Sequence, residues 1–301
     1  MEAPGRVFPL LVARGSDLYL VGGVDAAGKH FGDVWRWSSQ WERLATAAIP
    51  VRSGHVGFLF EDSIYVYGGQ EEAVPSHIYD KWLRLNLSSL QWQDFAGPSG
   101  LRARHSSSCV LDLLGAKAYV YGGASGSEIE SDTLMLDLKA GSWTSMATTH
   151  KPPGRMMHAA VLHQQQMYVF GGIDAVQKVS SDLFCLNIGN GTWRSLGMFV
   201  VEDALMKMCG LAMVATEDSL VLFGGMDLEN LTVYNQVFIY EIRDAHWYRV
   251  PEQRTPRFGC CMVLQSGDIT LLGGCDMRTR ATATAVDTLS VVQLQALREA
   301  L

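Results

Sequence analysis

Six short, nearly unbroken apolar runs recur along the chain: Leu18–Val21, Ile64–Tyr67, Ala118–Tyr121, Met167–Phe170, Leu220–Phe223 and Ile269–Leu272. Each is followed at once by Gly-Gly, and successive doublets are 46, 54, 49, 53 and 49 residues apart. The runs are rich in β-branched and aromatic residues and do not alternate with polar ones, which predicts strands covered on both faces. A glycine pair closing such a strand predicts positive φ, or a backbone too close for a Cβ, where the chain leaves the sheet. Self-similarity at a period near fifty predicts a repeat architecture.

Other marks keep the same phase. After each doublet comes a polar loop and then Asp33, Asp80, Asp132, Asp182, Asn235 or Asp287 ahead of a second apolar segment. Five units then carry Trp41, Trp92, Trp143, Trp193 and Trp247, and an arginine opens a strand ahead of most doublets: Arg6, Arg52, Arg102, Arg155 and Arg257. The unit is four strands: A after the arginine, B ending in Gly-Gly, C after the Asp, and D around the Trp. Six such units predict an all-β, six-bladed β-propeller of four-stranded antiparallel blades, one domain over 1–301. The blades fall at about 6–47, 48–98, 99–149, 150–200, 201–252 and 253–301. One tryptophan per blade is what packing between twisted sheets requires.

The sixth unit has no tryptophan, so its outer strand is expected to be missing, short or built from Ala296–Leu301. Helix signals are nearly absent before Gln293–Leu301. No exchange of a terminal strand is legible, so closure is expected to rest on face-to-face packing of blades one and six, with that junction the weakest.

These doublets, with their in-phase Tyr and Trp, closely resemble the kelch family from Arg6 to about Leu294. The resemblance implies protein–protein interaction: substrate receptors of cullin-type ubiquitin ligases, actin-associated scaffolds or effectors of small GTPases. The ligase receptors usually carry a BTB or F-box module, which is not legible here. A few kelch-like propellers are sugar epimerases, oxidases or plant specifier proteins, so a mutarotase-like enzyme with a site at the channel mouth is the alternative.

Composition narrows the function. The chain has 48% hydrophobic and 18% charged residues, enough for a sizeable core. Its net charge is 24 − 31 = −7 with no basic block, which disfavours nucleic acid. No eighteen-residue apolar stretch predicts a membrane span, and the N-terminus lacks a signal-peptide pattern. Six cysteines without a CxxC pair read as reduced thiols of a cytosolic or nuclear protein.

Candidate chemistry is sparse. His55, His105 and His158, with Cys260, are read as equivalent positions near the start of strand A; a metal would need them to converge, whereas a propeller spreads them around its channel. Nucleophile, phosphate-loop and HExxH motifs are lacking, so no catalytic residue, metal or cofactor is assigned. The B–C and D–A loops emerge on one face, and variable loops on a constant frame are where binding residues gather. Arg52, Arg102, Arg155 and Arg257 recur and read first as repeat elements pairing with the neighbouring blade. Arg104, Arg278 and Arg280 are read as lying outside the repeat. All seven, with His77 and Tyr79 of the second B–C loop, are the candidate partner-binding residues. The expected partner is a protein or peptide, one with acidic or carboxylate groups fitting the arginines, on a monomeric propeller.

Overall fold

A computed structural model describes residues 3–44, 48–71, 76–95, 102–202 and 204–299. Residues 72–75 of the loop Gln70–Tyr79 and residues 300–301 of the segment Ala296–Leu301 lie outside them. The described residues form six radial antiparallel sheets in sequence order, a six-bladed propeller. Blade one is Leu10–Arg14, Asp17–Val21, Val34–Trp37 and Trp41–Arg43, ordered A-B-C-D outward from the axis. Blades two to five repeat that order. In blades two, five and six, strand B runs through the doublet into a short hairpin, as in Ser219–Asp227 with Thr232–Val233 and Asp268–Asp276 with Ala281–Thr282. No described helix is long and apolar enough to cross a membrane.

Strand B is buried almost throughout, as its unbroken apolar run requires: Val21, Val66, Val120, Val169 and Leu222 have no exposed surface. Each apolar cluster belongs to a junction between blades, and each strand-D tryptophan packs on the blade before its own. Trp92 joins blade two to Val12, Tyr19 and Val21 of blade one. Trp143 lies 4.9 Å from Trp82, Trp193 lies 4.9 Å from Tyr121, and Trp247 lies 4.1 Å from Phe199. Trp41 and Trp35 pack with Leu272 of blade six, so the ring-closing junction keeps its indole.

The missing tryptophan of blade six therefore affects the junction with blade five, not the junction with blade one. Strand C, Asp287–Ser290, runs straight into a helix, Val291–Glu299, in place of an outer strand. Leu294 is buried among Val221, Ile239 and Ile269, with Val291 and Leu297 packed beside it. One helical face thus covers the apolar surface that an indole covers elsewhere, because the apolar spacing Val291-Leu294-Leu297 is helical rather than alternating.

Leu294→Ala is expected to destabilise the protein by about 2–5 kcal/mol, the range for a buried leucine truncation. Native-state amide exchange should then accelerate in Gln236–Glu241 and Asp287–Ser290 more than in Leu10–Arg14; equal acceleration in all three would contradict the helix's role as filler.

Candidate functional site

Each Gly-Gly doublet is a backbone junction. Gly68 and Gly69 have φ of 66° and 85°, and a Cβ on Gly69 would stand 2.8 Å from the Cβ of His55 and 2.9 Å from the Ser53 carbonyl. Any other residue would meet both strain and collision there. The second glycine of every doublet donates its N–H to the residue that opens the next blade. Gly23 bonds to the Arg52 carbonyl at 2.8 Å, Gly69 to Arg104 at 2.9 Å, Gly123 to Arg155 at 2.9 Å, Gly172 to Met208 at 2.8 Å and Gly225 to Arg257 at 2.8 Å. Gly274 bonds to Arg6 at 2.8 Å and closes the ring.

The arginines at these positions are buried, and each guanidinium turns back into its own blade. Nη1 of Arg6, Arg52, Arg104, Arg155 and Arg257 donates to the first-glycine carbonyls of Gly22, Gly68, Gly122, Gly171 and Gly273, at 2.8 to 3.2 Å. The charge is balanced by the aspartate at the start of strand C: Arg6 meets Asp33 at 2.7 Å, Arg104 meets Asp132 through two bonds of 2.8 and 3.2 Å, and Arg257 meets Asp287. Arg155 reaches Asp182 through the Ser180 hydroxyl. Arg52 instead stacks over the Tyr79 ring at 3.8 Å. Blade five replaces both members at once, with buried Met208 for the arginine and Asn235 for the aspartate.

Two assignments from the sequence change. Arg104, not Arg102, fills the repeated position of blade three; it is 2% exposed, whereas the Arg102 side chain is 61% exposed and pairs with Glu128 and Glu130. Two arginines two residues apart made the register ambiguous. The repeated arginines also bind carbonyls of their own blade; the link to the preceding blade is made by their backbone carbonyl and, for Arg104 and Arg155, also by the side chain, which interacts with Tyr67 and Tyr121. His105 likewise sits two positions before the His55 and His158 site, which Ser107 takes in blade three.

Two residues after each repeated arginine, and after Met208 in blade five, the chain enters the left-handed region at Phe8, Gly54, Ser106, Met157, Gly210 and Gly259, with φ between 51° and 70°. These residues bond to one another around the axis: Phe8 N–H to the Gly259 carbonyl, Gly54 to Phe8, Ser106 to Gly54, Met157 to Ser106 and Gly210 to Met157, at 2.7 to 3.3 Å. The belt surrounds a cavity of about 140 Å³ at the channel mouth, lined also by His55, His158 and Cys260.

His55 Nε2 lies 3.1 Å from the Val21 carbonyl and His158 Nε2 lies 2.8 Å from the Ser108 hydroxyl, so both rings are engaged within the protein. Burial, and then the nearby guanidinium of Arg52 or Arg155, lowers each imidazole to a pKa of about 3. Burial pushes the Cys260 thiol up to about 12. Among the described residues no three His, Cys, Asp or Glu side chains converge to hold a metal ion.

Above this layer lie the loops. Phe31, Tyr79, Glu130, Ser180, Tyr234 and Ala283 each donate a backbone N–H to the second glycine's carbonyl at 2.8 to 2.9 Å, closing every B–C loop at its base. Phe31 and Tyr79 roof the guanidiniums beneath them. Of the candidate residues, the open face therefore presents Arg102, Arg278, Arg280 and His77; His77 packs edge-on against the Tyr79 ring at 4.6 Å. Arg278 pairs with Asp276 at 3.4 Å. The candidates are spread over blades two, three and six and do not converge on one pocket. The sequence reading passes over the exposed apolar tips Val176, Leu228, Leu231 and Met277, whose signal was an aliphatic residue inside an otherwise polar loop.

The sequence model of the KLHDC2/KLHL20/DRC7 Kelch-repeats domain matches residues 9–199 and 112–297. The chain is 26% identical over 269 residues to Acyl-CoA-binding domain-containing protein 5 of Arabidopsis thaliana, covering 84% of this chain and 41% of that protein. It is 27% identical over 296 residues to human Host cell factor 1, covering 84% and 14%. It is 28% identical over 280 residues to Tip elongation aberrant protein 1 of Schizosaccharomyces pombe, covering 88% and 24%. The chain thus spans less than half the length of each of these relatives. The solved structure of YjhT superposes with a TM-score of 0.80 at 15% identity over 96% of both chains, which establishes the shared fold.

Arg104→Ala leaves the Gly122 carbonyl without its donor and the part-exposed Asp132 without its cation, and should cost about 1–3 kcal/mol in urea unfolding, as expected when a buried acceptor is left unsatisfied. Arg102→Ala should change stability by no more than about 0.5 kcal/mol. The histidines give a pH signature: below pH 6.5 the unfolded chain binds protons that His55 and His158 refuse until about pH 3. Their contribution is complete above pH 6.5 and is lost as pH falls toward 3, with a slope of up to about 1.4 kcal/mol per pH unit for each. His158→Gln should reduce that slope in unfolding measured from pH 7 to 4.

Proposed function

The chain belongs to the kelch-repeat family, and on that premise we propose that it is a protein–protein interaction module binding through the B–C/D–A loop face. One observation carries this reading. Beneath that face the doublets repeat the same bonds from blade to blade, whereas the side chains on the loop tips above them vary, from Ala26-Ala27 and Gly126-Ser127 to Val176, Leu228 and Met277. A constant scaffold with variable tips suits recognition of a partner's surface. The channel-mouth cavity of about 140 Å³ is smaller than the roughly 300–1,000 Å³ of typical small-molecule sites. Its two histidines have Nε2 engaged by the Val21 carbonyl and the Ser108 hydroxyl, which favours the interaction reading over the epimerase-like alternative.

The finer reading is a substrate or peptide receptor of a cullin-type ubiquitin ligase, or a related scaffold, acting as a monomeric ring in the cytosol or nucleus. Its support is the family resemblance and six free cysteines, none paired. Exposed Arg102, Arg278 and Arg280 suit a partner with acidic groups, while the buried Arg52, Arg104, Arg155 and Arg257 act beneath them as the frame.

Affinity capture from cells with quantitative mass spectrometry should show partners lost from a loop-face variant, Arg102→Glu with Arg278→Glu and Arg280→Glu. Leu113→Ser with Leu114→Ser, on the opposite A–B face, should retain them. The reverse pattern would refute the placement, and a cullin or its adaptor among the loop-dependent partners would support the finer reading.

A further inference from the structure

The exposed large apolar residues are unevenly spread. On the B–C loop tips they occupy three consecutive blades: Val176 (79% exposed) on blade four, Leu228 (37%) and Leu231 (68%) on blade five, and Met277 (45%) on blade six. The corresponding tips of blades one and three carry Ala26-Ala27 and Gly126-Ser127. The tip of blade two lies outside the described residues.

The hairpins of blades five and six are built alike. Asp227 and Asp276 each accept the backbone N–H two residues on, at 2.9 and 3.0 Å, and Leu231 and Arg280 each occupy the left-handed position, with φ of 51° and 56°. Leu228 therefore corresponds to Met277, and Leu231 to Arg280. One register gives an aliphatic residue on both hairpins, and the other gives an aliphatic residue beside a cation.

Charge identifies what would cover them. Glu229 is paired with Lys207, and Asp276 with Arg278 at 3.4 Å. Arg280 is exposed, and among the described residues its guanidinium has no partner. Apolar tips on adjacent blades, beside a cation that has no partner among the described residues, complement an apolar segment that carries a carboxylate. Resting on the interaction reading above, we propose that the hairpin tips of blades five and six bind a peptide segment of a partner protein. Its aliphatic or aromatic side chain packs on Leu228, Leu231 and Met277, and an adjacent acidic group pairs with Arg280. Val176 extends the apolar strip toward blade four.

The test is selection of a randomised phage-displayed peptide library on the whole chain, followed by titration of the enriched consensus as a synthetic peptide. The expected consensus joins a large apolar residue to Asp or Glu. Leu228→Ser with Leu231→Asn, the latter tolerated at positive φ, should weaken that peptide about tenfold or more, as loss of a hot-spot side chain does. Arg280→Glu should weaken it similarly, and both variants should keep the wild-type melting temperature. A consensus lacking either feature, no enriched consensus, or undiminished binding to both variants overturns the proposal. If His77→Ala with Glu128→Lys abolishes binding instead, the blade five and six site fails while the loop-face reading stands. If Leu113→Ser with Leu114→Ser abolishes it, both fail.

Discussion

The ring depends on one short backbone hydrogen bond made six times, from the second glycine of a doublet to the carbonyl opening the next blade. It requires two consecutive residues at positive φ with no Cβ, a demand that only Gly-Gly meets without strain. Once made, it brings the next strand A so close that the first glycine's carbonyl is buried and needs a donor. In five blades the repeated arginine supplies that donor, and in blades one, three and six its charge is met directly by the aspartate of strand C. Glycine, arginine and aspartate are coupled there. Blade five shows the coupling from the other side: with methionine in place of the arginine, no buried charge needs balancing, and asparagine stands where the aspartate would be.

The same logic explains what could be read in the sequence. The doublets, apolar runs and tryptophans are legible because each is imposed by the backbone or by a gap of fixed shape. The interchange of Arg102 and Arg104 was not legible: both fit a residue-type pattern, and only the distance to the Gly122 carbonyl distinguishes them. His105 was misaligned for the same reason. The substitution of a helix for the sixth outer strand was half legible, since the missing tryptophan flagged the blade but not the side on which the gap would open. That side follows from each indole packing on the blade before its own.

The candidate site was the least legible part. Residue type directed attention to arginines, most of which are structural here, and away from aliphatic loop tips, which resemble ordinary loop residues until the fold places them on adjacent blades. The structure divides the face into two layers. The lower one holds buried guanidiniums bonded to carbonyls and carboxylates, with Arg6 Nη2, Arg104 Nε and Arg257 Nε left without a hydrogen bond. The upper one holds tips fixed at their bases by the second glycine's carbonyl, and their further contacts, such as Lys207 with Glu229 and Arg102 with Glu128, stay among the surface loops, so a substitution there leaves the bonds beneath untouched. Stability and recognition are thereby carried by different residues of the same loops.

The belt around the channel mouth has a consequence for how the molecule forms. Its bond from Phe8 to Gly259 joins residues from opposite ends of the chain, as does the bond from Gly274 to Arg6. During synthesis the first blade emerges long before its second neighbour exists, so Leu20, Trp35 and Trp41 must wait without Leu272 until the sixth blade follows. Contacts of such sequence separation form late and slowly, and an apolar face left open meanwhile is prone to mispairing. For this propeller the seam that is well joined in the finished ring is the one most exposed during assembly, so dependence on chaperones should follow the time taken to close the circle rather than the final strength of any junction.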